Sequence, residues 1–306
     1  MSTHLPQSDA VKVKVTPTGC DKDHGKYLKC EDQPMTLSNL ARLVAVAALA
    51  MPCAASAAVV GHFDFSGPNP LVDATGHFGA LTLMGGASIV DGGLKVTGSG
   101  TNSTGWATTT ASAYSGPAIV DKTLTAWARI DTSSTVAGAG AILSIDKASA
   151  DMFDAIVYGE ISANRWIAGS NGFQRTNGGT SIGQETSFPS DLVKMTIVYD
   201  DLDDLAGGQM RVTAYRNDVM TATWLSGSGS FFGVGDAEVM FGARHTLGGP
   251  RGGLNATIFE AVIHDEALTA AQVSALSMTP SAVPLPATAV LLAGALGTLR
   301  LRRRRG

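Results

Sequence analysis

Between residues 59 and 264 the chain falls into short runs rich in β-branched, aromatic and small apolar residues. Most runs are closed by glycine, asparagine, aspartate or serine. The runs cover residues 59–65, 77–84, 88–90, 94–96, 124–130, 141–145, 153–158, 165–168, 194–199, 210–216, 219–224, 239–243 and 256–264. Such runs, at roughly ten-residue spacing, argue for a β-sandwich or barrel rather than an α/β fold. In LTAWARI, Leu124, Ala126, Ala128 and Ile130 fall on one face, opposite Thr125, Trp127 and Arg129. Asn217-Asp218 separates two runs as a tight hairpin turn does. One helix is signalled after the last run. Thr269 and Gln272 form a capping box, Leu268 and Val273 occupy the staple positions, and Leu276 extends the apolar face. The expected fold class is all-β, an antiparallel sandwich with one short C-terminal helix.

Composition narrows the chemistry. Between residues 59 and 280, 11 Lys and Arg face 21 Asp and Glu, a net of −10. An acidic body is a poor match for nucleic acid, which rewards basic patches. The three cysteines, Cys20, Cys30 and Cys53, all precede this region. Disulfides, a cysteine nucleophile and thiolate zinc sites are therefore excluded from it.

The ends read as addresses. From Met35, Arg42 supplies a basic region, residues 43–51 an apolar one, and Ala55-Ser56-Ala57 the small residues before a cleavage expected after Ala57. A buried helix is the alternative for this stretch. Residues 1–34 are polar and aperiodic. They are expected to be a non-native or disordered extension, with translation starting at Met35. At the other end, residues 279–287 are expected to form a proline-rich linker and sorting motif, and residues 288–306 a transmembrane helix with an arginine-rich tail. The apolar run is shorter than the roughly 20 residues a comfortable span needs. Arg300 and Arg302 to Arg305 would stay cytoplasmic, leaving the preceding domain outside.

This tail resembles the PEP-CTERM class of bacterial sorting signals in its VPLPA variant. Val283, Pro284, Leu285, Pro286 and Ala287 supply the motif, followed by the apolar stretch and the cluster Arg302 to Arg305. The resemblance implies an exosortase as processing partner, contact with the bacterial membrane, and an envelope or secreted destination. An ordinary anchor that is never cut is the alternative.

Residues 58–278 resemble the laminin-G-like, concanavalin A-like jelly-roll family. The resemblance rests on Phe63-Asp64-Phe65, on Asp73-Ala74-Thr75-Gly76, on the TAYRNDVM hairpin, and on the closing IFEAVIHDEALTAAQVSAL. It implies a jelly-roll domain that binds carbohydrate or protein. It leaves room for a structural Ca2+, to which Asp73 and Asp265 would contribute.

Some relatives of that fold hydrolyse glycosides with carboxylates on one strand face at Glu-x-Asp-x-x-Glu spacing. No such run is present, and Glu260 to Glu266 has the wrong spacing. His62, His77, His245 and His264 show no metal-binding spacing. Asp200, Asp201, Asp203 and Asp204 fail the EF-hand pattern, because Ala206 and Val212 stand where glycine and glutamate are needed. For ligand contact the candidates are Trp106, Tyr114, Arg165, Trp166, Asn171 and Arg175, which combine aromatic platforms with hydrogen-bonding groups. The glycine-rich loop 247–253, with His245 and Arg251, is a candidate rim. The function expected is binding of an extracellular polysaccharide or surface partner without catalysis. A purely structural matrix protein is the alternative, followed by a glycoside hydrolase.

Overall fold

The computed structural model describes residues 58–135, 140–178, 181–202, 208–246 and 251–281. The extension 1–34, the signal segment with Ala57, the sorting motif and the apolar tail lie outside them. So do Asp203, Asp204 and residues 247–250. Among the described residues no helix is long and apolar enough to cross a membrane.

Fifteen strands are present among the described residues. In chain order they are β1 (Val59–Asp64), β2 (Thr82–Gly85), β3 (Ser88–Val90), β4 (Gly93–Ser99), β5 (Asn102–Thr108), β6 (Lys122–Ile130), β7 (Gly140–Lys147) and β8 (Phe153–Tyr158). Then come β9 (Arg165–Ser170), β10 (Gly183–Gln184), β11 (Val193–Asp201), β12 (Met210–Arg216), β13 (Val219–Ser226), β14 (Ala237–Phe241) and β15 (Ala256–His264), followed by the helix α1 (Ala270–Ala275). All pair antiparallel, in two layers. In the first, β15 is flanked on one side by β6, β11, β12 and β13 in that order. On its other side it pairs with β1 and β4. The second runs β10-β9-β8-β7-β14-β5, with β2 also on β5. Strand β4 serves both layers: Leu94 and Val96 pair with β15, Thr97 and Ser99 with β5, and the register shifts between Thr97 and Gly98. This is an antiparallel jelly-roll sandwich with its apolar core between the sheets.

The expected faces are observed. Leu124, Ala126, Ala128 and Ile130 lie in the inter-sheet core. Asn217 and Asp218 both take the left-handed conformation, with φ of 49° and 65°, in the turn joining β12 to β13. The capping box of α1 is present in full. Two strands were not read from sequence, β5 and β10. Strand β5 has the composition of a loop, yet its Gly105 is required by close packing: a Cβ there would sit 2.5 Å from both the Ala87 nitrogen and Thr97 Oγ1. The run expected at 77–84 starts as a strand only at Thr82. Before it, the Asp73 carboxylate captures the backbone: it accepts hydrogen bonds from the amides of His62, Thr75 and Phe78 and from the Thr75 hydroxyl.

A charged cluster crosses the core. Asp154 on β8 lies 3.1 Å from Lys122 Nζ on β6, in the opposite sheet, and 2.5 Å from Arg175 Nε. It also accepts a short hydrogen bond from Ser230. All three charged side chains are buried. Lys122 donates further to Ser230 and to the Val120 carbonyl, and sits over the rings of Tyr199 and Phe232. Burial alone would raise the proton affinity of Asp154, but Arg175 and Lys122 outweigh it and hold the carboxyl below the ordinary range.

Helix α1 and the residues around it, up to Ser281, pack on the outer face of the first sheet. Leu268 and Val273 pack on Val198 and Tyr215. Lys194 Nζ donates to the carbonyls of Leu276 and Ser277. Glu260 accepts from the Ser281 amide at 2.6 Å and from its hydroxyl at 3.0 Å, and its Oε1 also lies 2.7 Å from His62 Nε2.

Removing the carboxylate at the centre of the charged cluster leaves two cations without it in the core. Asp154→Ala is expected to cost about 3–5 kcal/mol of folding free energy, measured by chemical denaturation. A loss under about 1 kcal/mol would show that the cluster does not hold the sheets.

Candidate functional site

Strand β8 is buried on both faces. Asp154, Ile156 and Tyr158 point into the sandwich. Phe153, Ala155 and Val157 point outward and form a second apolar cluster with Ala141 and Ile167. The segment after β14 lies over this outer face. His245 stacks on Phe153 with ring centroids 5.4 Å apart. Its Nδ1 is 2.8 Å from Asp146 and its Nε2 3.4 Å from Asp151. Thr246 donates its amide to Asp146 and its hydroxyl to Glu238 at 2.6 Å. Arg244 meets Glu160 at 2.6 Å. Backbone bonds from Arg244 to Arg251 and from Arg251 back to His245 hold the segment together. Burial raises the proton affinity of Glu160, and Arg244 works against that rise.

The opposite rim is set by the buried Arg175. After β9 the chain makes a 3-10 turn over Asn171–Phe173. Arg175 Nη2 donates to Asn171 Oδ1 at 2.6 Å and to the Phe153 carbonyl at 3.0 Å, while its own amide donates to Ser170. The turn places Gly172 and Phe173 in the left-handed region, with φ of 55° and 57°. That conformation is unusual for an aromatic residue, and it leaves Phe173 47% exposed. Between this turn and the His245 segment opens a pocket of about 170 Å³, lined by Asp151, Phe153, Glu160, Asn171, Phe173, Arg244, His245 and Arg251.

Of the residues expected to touch ligand, Asn171 lines this pocket together with His245 and Arg251 of the expected rim. Three others lie inside the fold with their polar atoms engaged there. Tyr114 is buried, donates to the Pro117 carbonyl and packs on Phe78. Trp166 is buried and gives its indole N–H to Glu185 at 2.7 Å. Arg175 shapes the rim from below rather than facing the opening. Trp106 is half-buried on β5 opposite Met84, and Arg165 is exposed at the start of β9. Neither lines the pocket. Phe173, Glu160 and Asp151 were missed. The one local signal was the Asn171-Gly172 turn pair, which puts the next residue at a turn tip.

The implied calcium does not fit Asp73. A carboxylate offers about four acceptor sites, and those of Asp73 take three amides and one hydroxyl. Among the described residues no group of three His, Cys, Asp or Glu side chains is placed to hold a metal ion. Asp200 pairs with Arg211 at 3.1 Å.

No protein-family model matches the chain, and no curated protein matches it. Solved structures similar to it include domain 4 of a GH43 extracellular arabinanase from Geobacillus stearothermophilus, in complex with arabinotriose. That match has 17% identity, 72% of this chain and 98% of that one covered, and a TM-score of 0.44. The chain is also similar to Trypanosoma rangeli sialidase (16% identity, 71% of this chain, TM-score 0.45) and to the binding domain of botulinum neurotoxin serotype G (15% identity, 72% of this chain, TM-score 0.43). It spans 32% of the sialidase chain and 50% of the neurotoxin chain. Likeness at these values transfers no activity.

Two histidines on the outer face of the first sheet oppose each other in acid. Burial lowers the pKa of His264 to about 4 from an ordinary 6.5. The unfolded chain thus takes up this proton first, and stability falls as pH drops from 6.5 towards 4, by about 3 kcal/mol in full. The bond to Glu260 raises the pKa of His62, whose contribution is complete below 6.5 and is lost as pH rises through the raised value. Denaturant midpoints of the wild type and His264→Gln, compared at pH 7 and pH 5, should show a shallower acid loss in the variant.

Proposed function

We propose that this chain is an exported envelope or secreted protein whose sandwich binds an extracellular polysaccharide or surface partner at the Phe173 pocket, without catalysis. The observation that carries the reading is the exposed ring of Phe173, held in a left-handed turn beside a pocket lined by carboxylates, guanidinium groups and an amide. An aromatic face with converging hydrogen-bonding groups is what a sugar ring requires. Arg244 pairs with Glu160, and the lining carries Arg244 and Arg251 against Asp151 and Glu160, which favours a ligand of low net charge.

The non-catalytic part of the reading is supported by the buried acids behind the pocket. Asp146 and Glu238 are cross-strand neighbours, and both are bound by Thr246. A retaining glycosidase instead keeps its two carboxyl groups about 5–5.5 Å apart across the sugar. A structural role is favoured by one feature. Strand β13 ends the first sheet with Val219, Met220 and Leu225 exposed and no charged residue along its length. Such an edge can add strands from other chains.

On a glycan array, the wild type should bind at least one neutral polysaccharide, and Phe173→Ala should weaken that binding by about tenfold, the loss of one stacked ring. The captured glycan should show no new reducing ends on incubation. Hydrolysis abolished by Glu160→Gln would assign the pocket to a glycosidase, and absence of all glycan binding would favour the structural role.

The addresses at the ends are tested separately. Mass spectrometry of the protein from envelope and culture fractions should find a mature N-terminus at Ala58 and a C-terminus that lacks the arginine cluster. Recovery of the intact chain from the cytosol would overturn export.

A further inference from the structure

Four large apolar side chains stand exposed at one corner of the first sheet. Leu192 immediately precedes β11, Val219 and Met220 open β13, and Met278 follows α1. They are between 39% and 66% exposed. Lys194 brings these three stretches of chain together. Its amide donates to Asn217 Oδ1 at 2.9 Å, and the Asn217 amide donates to the Lys194 carbonyl at 2.8 Å, in the turn that leads into Val219. Its Nζ meets Asp218 at 2.5 Å and donates to the carbonyls of Leu276 and Ser277. The corner is therefore fixed by polar contacts that leave its apolar side chains outside. Leu192 also lines a groove of about 310 Å³, to which Phe259 and Pro280 add apolar surface. Exposed apolar surface of this extent marks a place of contact.

Chain length decides what can cover this corner. Ser277 and Ser281 are four residues apart, at most about 14 Å. Ser281 is held by Glu260 on the same outer face. Six residues separate Ser281 from residue 288, where the expected membrane segment begins. Such a stretch spans at most about 25 Å, whereas a domain of this size is roughly 45 Å across. With residues 288–306 in a bilayer, the outer face of the first sheet is therefore kept close to its surface. Charge is consistent with an apolar contact there. Lys194 pairs with Asp218, Arg129 beside the groove with Asp131, and Asp191 adds a third carboxylate next to Leu192. Two cations against three carboxylates offer no attraction to anionic headgroups, so contact falls to the apolar side chains in the interfacial layer.

We propose that this corner docks on the bilayer surface, with Leu192, Val219, Met220 and Met278 in the headgroup layer. The inference rests on the reading of residues 288–306 as a membrane segment.

The test uses the full-length chain with Cys20, Cys30 and Cys53 replaced by serine, reconstituted in phosphatidylcholine vesicles. Leu192→Cys, Met220→Cys and Met278→Cys each carry an environment-sensitive fluorophore, and Phe173→Cys on the outer side of the second sheet serves as the reference. Lipids bearing a nitroxide near the headgroup should quench the first three labels severalfold more than the reference. Phosphatidylglycerol added to the vesicles should not strengthen that quenching, and a marked strengthening would overturn the apolar contact. A chain that floats with the vesicles while all four labels are quenched alike overturns the docking and leaves the membrane segment standing. A blue-shifted label without lipid quenching assigns the corner to a second copy of this chain and overturns the docking as well. A chain that does not float with the vesicles overturns the membrane-segment reading, and the inference with it.

Discussion

The sandwich depends on one buried anion. Asp154 is reached from the facing sheet by Lys122, from the loop after β9 by Arg175 and from the loop after β13 by Ser230. An ion removed from water is costly unless every one of its lone pairs is met. Here three partners reach the carboxylate, and they do so only when four separate stretches of chain arrive together. The cluster thus does more than add stability. It also ties the two sheets and two loops together at one point.

The same cluster reaches the surface through Arg175. One end of this side chain neutralises Asp154, while the other holds the Asn171 side chain and the Phe153 carbonyl. The turn that displays Phe173 is therefore fastened to the core rather than left as a free loop. Across the pocket, His245 is oriented by Asp146 and by the ring of Phe153. Both rims are held from beneath by buried polar contacts, so the opening between them is pre-formed.

Much of the architecture was legible because strand pairing repeats a local pattern. The alternation in β6, the Asn217-Asp218 turn and the Thr269 cap each depend on a few adjacent residues, and each appears where the sequence places it. Strand β5 was hidden because Gly105 is there for close approach of another backbone, which no neighbouring residue reveals. The site was less legible for the same reason. Arg175 and Trp166 have the chemistry of ligand contacts, but their partners Asp154 and Glu185 lie 21 and 19 residues away, and only the fold shows that those bonds are already made. Phe173 was not among the candidates, because its exposure depends on the turn that carries it.

The Ser281 contact and the Phe173 turn sit on opposite layers. Ser281 is gripped by Glu260 on the back of the first sheet, while Phe173 stands on the outer side of the second. Any tether continuing past Ser281 pulls on one layer, and any polymer held at Phe173 pulls on the other. The two points of attachment would thus lie on opposite sides of the apolar core and of the Lys122–Asp154 pair.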